Sequence, residues 1–270
     1  MAAPLPPNLE VLSELPADHA GFDITDTRLM AALSRAEDSH FWHVARNELI
    51  AARLAALGVA RGARFLELGC GGGVVSAHLS RGGLDVIGVD GHLPRVAEAA
   101  RRAPRARFLV HDLSRGVDGL PAGFAAAGLF DVIEHLTDPL AALQAAMSLV
   151  EPGGWVVGTV PALMSLWSEY DARGGHQLRY DRGTLGSLLS RVEGADRREQ
   201  RWFNHLLVPA MWLQRRARAE PDAGLHVPRA PVNQALLWAL RAEYAADRAL
   251  APLRARVPGA SLWFALRRAR

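Results

Sequence analysis

The sequence predicts an α/β fold with a doubly wound, mostly parallel sheet. Short apolar runs that suit buried strands alternate with longer segments of helical periodicity. The first run, Arg64–Leu68, breaks into a glycine-rich turn, Gly69–Gly73, and then into a helical pattern. A second apolar run ends in the acid Asp90. This succession is typical of a sheet that binds a nucleoside-like cofactor at the carboxyl ends of its strands.

The other elements follow from periodicity and from turn residues. Gly82 and Pro104 end two helices, and Pro139 opens another behind the cap residue Asp138. Helices are expected at 24–58 (with a break near 39–42), 74–81, 93–103, 139–150, 184–192 and 232–250. Further strands are expected at 84–89, 106–110, 125–130, 155–160, 197–204 and near the C-terminus.

Composition excludes several classes of protein. The chain has 270 residues, half of them hydrophobic, and one cysteine, which rules out a disulfide framework. No apolar run approaches the roughly 18 residues of a membrane span, and the N-terminus has no secretory-signal pattern. We therefore expect a cytoplasmic protein. Its charge is uneven: residues 201–270 carry 12 arginines and 4 acids, a net of +8, and residues 1–200 sum to −5.

The glycine segment discriminates between cofactors. A dinucleotide fingerprint requires a third glycine where this chain has Val74, and Glu67 suits a cationic ligand better than a pyrophosphate. The run resembles motif I of the class I S-adenosylmethionine (SAM) methyltransferases, in the type 11/12 branch. Four further motifs of that family follow in order and at the expected spacing: Asp90, His111-Asp112-Leu113, Phe130–His135 and Glu151–Gly154.

The resemblance implies a Rossmann-like, seven-stranded sheet whose last strand runs antiparallel between the fifth and sixth. It divides the chain into a disordered tail (1–20), an N-terminal helical lid (21–60), a SAM-binding core (61–204), a helical insertion that builds the substrate pocket (205–258) and a final core strand (259–270).

The same resemblance implies the cofactor site. Asp90 would hold the ribose hydroxyls and Asp112 would contact the adenine, although each could instead only cap its turn. In the lid, Trp42 and Arg46 would cover SAM, with Arg46 near its carboxylate, unless they serve only in helix packing. Cys70 is expected to contact SAM as a small residue of the turn, not as a reactive thiolate. The remaining expected contacts are Glu67, Gly69, Gly71, Gly91, His111, Leu113 and Phe130.

Catalytic candidates follow the fourth core strand. Glu134 and His135 lie where the transferred methyl group sits in this family, and His135 could be a general base. The spacing Asp131-x-x-Glu134-His135 resembles the E-x-x-E-H of ubiquinone-pathway O-methyltransferases, which is associated with a divalent metal. Because Asp131 replaces the first glutamate, we predict no metal, and a divalent ion remains the alternative.

A second group of candidates follows the fifth core strand. The segments Trp167–Asp171 and Gly175–Tyr180 resemble a W-S-x-x-D…G-H-x-R-R-Y pattern found in one branch of the family. His176 is a second candidate base, and Arg179 could hold an anionic group of the substrate. Trp167, Tyr170 and Tyr180 are expected in the substrate pocket, with loop packing as the alternative.

The function expected from this resemblance is methyl transfer from SAM to a small molecule, a hydroxyl of a specialised metabolite or of an apolar, lipid-linked intermediate. A carbon-directed enzyme, acting on an isoprenoid or aromatic acceptor through Glu134, and a non-catalytic SAM-binding protein are the alternatives. A nucleic-acid methyltransferase is disfavoured because Asp131–Glu134 lacks the N-P-P-[YF] pattern. Residues 206–218 could touch a membrane surface, or could line the pocket. The oligomeric state stays open.

Overall fold

The structure is a computed structural model that describes residues 4–13, 34–216, 227–246, 249 and 256–270. Its strands are β1 (Leu9–Val11), β2 (Arg64–Leu68), β3 (Asp85–Asp90), β4 (Arg107–Val110), β5 (Phe124–Phe130), β6 (Val150–Pro161), β7 (Ala195–Phe203) and β8 (Ser261–Arg268). Its helices are α1 (Phe41–Ala56), α2 (Val74–Arg81), α3 (Leu93–Arg102), α4 (Pro139–Leu149), α5 (Glu169–Arg173), α6 (Arg182–Ser190), α7 (Leu207–Arg216) and α8 (Ala230–Ala245). Residues 34–39 are also helical.

The strands form one sheet in the order β1-β4-β3-β2-β5-β6-β8-β7. Strand β8 is antiparallel to both of its neighbours, and every other pair is parallel. The predicted α/β class and the antiparallel last strand between the fifth and sixth core strands are confirmed. Helices α4 and α6 cover one face of the sheet, and α1, α2 and α3 cover the other.

The structure adds an eighth strand to the seven that were predicted. Strand β1 pairs in parallel with β4, from Leu9 opposite Phe108 to Val11 opposite Val110. Asn8 immediately precedes this strand and holds its first residue in place. The side-chain amide of Asn8 donates to the carbonyl oxygens of three residues near the end of α3, Ala100, Ala103 and Ala106. The expectation of disorder is therefore wrong for this strand, because these tertiary hydrogen bonds supply an order that the local sequence does not encode. Residues 14–20 lie outside the described residues.

The segment between β7 and β8 contains α7 and α8. Helix α8 packs on α1 through Leu237 and Leu240. Its buried Glu243 accepts hydrogen bonds from the amides of His205 and Leu206 at 2.9 and 3.0 Å, which caps the start of α7. Helix α7 lies on the surface of the core, and none of its residues is buried. None of the helices in the described ranges combines the length and the apolarity that a membrane crossing requires.

Candidate functional site

The candidate site lies at the carboxyl ends of the central strands. From β2 the chain builds outward through β3 and β4, and it then returns to the other side of β2 with β5. The loops after β2 and β5 therefore leave in opposite directions, which opens a crevice between them. The predicted cofactor residues follow β2, β3 and β4, and the first predicted catalytic residues follow β5.

The glycine turn after β2 is closely fitted to its surroundings. Gly69 and Gly71 have φ angles of +77° and +50°, which disfavour side chains. A Cβ on Gly69 would also lie 2.5 Å from Cγ2 of Val132. The amides of Gly69 and Cys70 donate to the carbonyl oxygen of Val89 at 2.8 and 3.0 Å. The turn is thereby held against β3, with backbone exposed to a ligand.

Cys70 is buried within this turn. Burial, and then the nearby carboxylates of Asp90 and Glu67, raise the pKa of its thiol well above the usual value. A thiol in such surroundings stays protonated and is a poor nucleophile. The geometry agrees with the expectation that Cys70 is a small turn residue.

Asp90, at the end of β3, organises the turn. Its Oδ2 accepts from the amide of Gly71 and its Oδ1 accepts from the amide of His92, both at 3.0 Å. Each oxygen keeps a lone pair for a further donor. Asp90 can thus cap the loops and still accept from two ligand hydroxyls.

The segment that follows β1 closes over the end of β4. Nε2 of His111 lies 3.0 Å from the carbonyl oxygen of Gly116, and Nδ1 lies 3.1 Å from Oγ of Ser13. The carbonyl only accepts, so Nε2 carries the proton and Ser13 donates to Nδ1. Ser13 Oγ in turn accepts from the amide of Asp112 at 3.0 Å. His111 therefore positions the loop and has no free ring nitrogen for a ligand.

Asp112 is held in its own turn. Its Oδ1 accepts from the amide and the hydroxyl of Ser114 at 2.9 and 2.6 Å, which caps the 3-10 turn Leu113–Arg115. The predicted adenine contact stays a prediction. Leu113 is half-buried against the core, Gly91 is buried, and the buried ring of Phe130 stacks on Phe65 at 6.4 Å between centroids.

Buried charges connect the lid to the crevice. Arg46 of α1 pairs with Asp131 and lies over the ring of Trp42, 4.7 Å from its centroid. Its buried Nε has no hydrogen-bond partner among the described residues. Glu67 accepts a hydrogen bond from Ser76, and burial raises its pKa to about 7 despite that bond. Through the pair of Arg46 with Asp131, the predicted lid contacts the residue that follows β5.

Two arginines of α3 tie the helical residues 34–39 to the glycine turn. Arg95 and Arg102 both pair with the buried carboxylate of Glu37. Arg102 also donates to the carbonyl oxygen of Gly72. Since these arginines contact both segments, the position of the lid and the shape of the glycine turn are mechanically linked.

The predicted catalytic residues meet at one point. Glu134, His135 and His176 place one ligand atom each within 4.8 Å of one another, which could hold a divalent ion. The two imidazoles lie edge to face, 4.6 Å apart between centroids. Burial and the neighbouring imidazole of His176 lower the pKa of His135 to about 4. Glu134 is fully buried, neither oxygen has a hydrogen-bond partner within the described ranges, and burial and the charge of Asp131 raise its pKa well above normal.

Asp171 is a functional candidate that the sequence reasoning missed. Its Oδ1 accepts from Nδ1 of His176 at 3.0 Å and from Nε and Nη2 of Arg179 at 2.9 and 2.8 Å, and Oδ2 accepts from the amide and hydroxyl of Ser168. Although burial opposes ionisation, these partners, with His176 first, hold the pKa of Asp171 well below its usual range. Its local signals were the last position of the W-S-x-x-D pattern and the capping pattern Ser168-x-x-Asp171, neither of which points to His176.

The structure assigns other duties to two predicted substrate residues. Arg179 is buried, its charge is paired with Asp171, and its Nη1 donates to the carbonyl oxygen of Ala162 at 3.3 Å, so its contact with a substrate anion stays a prediction. Tyr180 lies in the core and donates to the carbonyl oxygen of Ile133 at 3.4 Å. Trp167 and Tyr170 are half-buried beside Asp171 in sequence, and their substrate contacts stay predictions.

The residues present fit a cofactor that carries an adenosine and a positive charge. Asp90 has capacity for two hydroxyls, and at Gly71 the glycine turn is open, since the nearest protein atom to a Cβ there would be 3.7 Å away. The carboxyl groups of Glu67 and Asp131 suit a cationic centre, and the unpaired Nε of Arg46 suits a carboxylate. SAM combines these groups.

Comparison with known proteins agrees with this geometry. The family model described as "Methyltransferase domain" matches residues 41–231. A ubiquinone biosynthesis O-methyltransferase of Bordetella avium is 35% identical over 112 residues, which are 37% of this chain and 43% of the relative. One of Xanthomonas campestris pv. campestris is 32% identical over 146 residues, 50% of this chain and 59% of the relative. The chain thus spans about half the length of these curated relatives.

A solved structure shows the same fold. It is a phosphoethanolamine N-methyltransferase 2 of Haemonchus contortus, in complex with phosphomonomethylethanolamine and S-adenosylhomocysteine. Its TM-score is 0.55 at 19% identity, over 83% of this chain and 53% of that one. The family match, the sheet order and the strand-end residues agree, and the chain therefore belongs to the class I SAM-dependent methyltransferases.

Proposed function

We propose that this chain transfers a methyl group from SAM to a hydroxyl of a small-molecule acceptor, with His176 as the general base. The observation that carries the proposal is the hydrogen bond from Nδ1 of His176 to the buried carboxylate of Asp171. This bond places the ring proton on Nδ1 and leaves Nε2 as the acceptor of a proton. His176 meets Glu134 and His135 at the crevice beside β5.

Bound SAM supplies an electrophilic methyl group, which the protein does not need to activate. The chain must orient the acceptor, exclude water and take the proton that the hydroxyl loses. The lid, tied to α3 through Glu37, would exclude water. His176 would remove the proton, and Asp171 would stabilise the imidazolium that forms.

His176 suits the role of base better than His135. The lowered pKa of His135, about 4, makes that imidazole a weak base near neutral pH. His135 also has no carboxylate partner to match Asp171 among the described residues. We therefore assign His135 to shaping the pocket beside the base.

Two observations support the class of acceptor. The curated relatives are named O-methyltransferases, which favours a hydroxyl as the acceptor. Met164 and Leu213, on the turn and the helix that pack together near Asp171, are both more than half exposed. Apolar surface at this place suits a specialised metabolite with an apolar body or a lipid-linked intermediate. Membrane contact through 206–218, cytoplasmic location and the pocket role of 205–258 stay predictions.

The test is His176→Gln, measured as formation of S-adenosylhomocysteine over a panel of catechols, phenols and their prenylated derivatives. With the best acceptor we expect turnover to fall by about 100- to 10,000-fold, because the proton loses its acceptor. Binding of S-adenosylhomocysteine should change less than about twofold. His135→Gln should lower turnover by about tenfold or less.

His78→Gln is the matched control, since His78 lies in the last turn of α2, away from the crevice. Equal turnover in wild type and His176→Gln would reject the base assignment. A methyl group on carbon in the product, identified by NMR, would favour the carbon-directed alternative. Tight binding of S-adenosylhomocysteine with no turnover on any acceptor would favour a non-catalytic protein.

A divalent ion is the second candidate, favoured by the two unpaired oxygens of Glu134 beside two imidazoles. One carboxylate with two histidines suits zinc, manganese or iron better than magnesium. If an ion were required, dialysis against EDTA would abolish turnover and added Mn²⁺ or Zn²⁺ would restore it. Calorimetric titration of the same ions would then show binding to wild type and none to Glu134→Gln. With a histidine base alone, we expect turnover to survive EDTA.

A further inference from the structure

The last turn of α7 reaches the rim of the His176 cluster. Helix α7 packs against the short turn Met164–Leu166, which lies just before α5, the helix that holds Asp171. Nε of Arg215 donates to the carbonyl oxygen of Leu166 at 3.2 Å. The side chain is half-buried there, whereas its neighbour Arg216 is exposed. One of the two arginines thus contacts the turn before α5, and the other lies in solvent.

The acidic partner nearest to this arginine is already committed. Asp171 accepts from His176, Ser168 and Arg179, and Arg179 donates from all three of its nitrogens to Asp171 and to Ala162. The charge of Arg179 is thus paired with a buried carboxylate.

Arg215 carries a positive charge that the described part of the chain does not neutralise. It forms no ion pair with any acidic residue in the described ranges. Burial lowers the pKa of its guanidinium, the charge of Arg179 lowers it further, and only Asp171 opposes them. A half-buried cation of this kind is stabilised when an anion binds beside it.

We infer that Arg215 binds a carboxylate or phosphate group of the acceptor. The inference rests on the proposed function in taking the His176 cluster as the acceptor site. Nε of Arg215 is held by Leu166, so the two terminal nitrogens remain to receive the anion. Met164 and Leu213, both exposed, lie beside it and suit the apolar part of the same molecule. The acceptor class is thus an apolar hydroxyl compound that carries an anionic group.

Calorimetric titration of two simple anions tests this inference. Benzoate and phenyl phosphate are titrated separately into protein saturated with S-adenosylhomocysteine, and into the free protein. We expect wild type to bind at least one of them, and Arg215→Gln to weaken that binding at least about tenfold. Arg215→Lys, which keeps the charge without the planar fork, should retain part of the affinity. The tighter of the two anions identifies the group.

Arg216→Gln is the matched control. It removes the same charge from the same helical turn, but Arg216 is exposed and its guanidinium lies 3.7 Å from the centroid of the Trp212 ring. We expect it to change the affinity less than about twofold. An equal loss in both variants, or no binding of either anion to wild type, would overturn the inference. The inference would also be overturned if Arg215 were required for sedimentation with phosphatidylglycerol vesicles but not for the binding of either small anion.

The result is separable from the test of the methyltransferase reaction. Anion binding is measured without turnover, so a failed His176→Gln experiment would leave it standing. Conversely, normal methyl transfer to an uncharged acceptor, together with unchanged anion affinity in Arg215→Gln, would overturn the inference about Arg215 alone.

Discussion

Replacing Asp90 by asparagine is expected to weaken the binding of S-adenosylhomocysteine by at least about 100-fold. The carboxylate accepts hydrogen bonds from the backbone amides of Gly71 and His92, both at 3.0 Å, and has lone pairs left for two ribose hydroxyls. In asparagine, an NH2 group replaces one of the two carboxylate oxygens, so that a donor would face the donating backbone amide. Each hydrogen bond to the charged group contributes about 1.5–3 kcal/mol, so the loss of these bonds accounts for the expected change in affinity. Calorimetric titration at neutral pH measures the effect.

Asp85→Asn is the control for this experiment. Asp85 begins the same strand, β3, but it is exposed at the opposite end of the sheet from the crevice. Its replacement should leave the affinity unchanged within about twofold. An Asp90→Asn protein that binds as tightly as wild type would show that Asp90 only caps its loops.

Replacing Asp171 by asparagine should lower both stability and turnover. Asp171 is completely buried and accepts from His176, Arg179 and Ser168. The amide leaves the buried charge of Arg179 unpaired, which we expect to cost about 3–5 kcal/mol of the free energy of unfolding. It also frees the imidazole of His176 to adopt the wrong tautomer, so turnover should fall by about 100-fold or more. Urea denaturation and initial rates measure the two effects.

The stability difference should depend on pH in one direction. The pKa of Asp171 in the folded protein is held well below its ordinary value of 3.8, so its stabilising contribution is complete above that pH. As the pH falls below about 4, the unfolded chain takes up the proton first and the contribution declines. The gap between wild type and Asp171→Asn should therefore narrow in acid and stay constant from pH 5 to 7.

Glu169→Gln is the control, because Glu169 lies in the same short helix but its ion pair with Arg173 is long and exposed. Such pairs contribute less than about 1 kcal/mol. A gap between wild type and Asp171→Asn that widened on acidification would contradict the assignment of Asp171 as a buried carboxylate.

The core elements were predictable because their signals are local. Strand β2 and helix α2 begin and end at the predicted residues, since an apolar run, a glycine turn and a paired-glycine stop are all read within a few positions. The same holds for Pro139 at the start of α4. Strand β1 was not predicted because its order depends on residues about one hundred positions away. These are the strand β4, with which it pairs, and the carbonyl group that the adjacent Asn8 contacts.

The sequence alone determined the fold class and the family and predicted the place of the cofactor, because short-range motifs encode them. Only the tertiary structure decided how the polar groups are shared. Asp171 and His176 are five residues apart, and both lie more than thirty residues beyond Glu134, yet all belong to one cluster. Arg179 was predicted to hold a substrate anion, and the tertiary structure pairs its charge with Asp171 and directs its Nη1 at Ala162. A side chain has few hydrogen bonds to give, and which partner receives them depends on three-dimensional proximity.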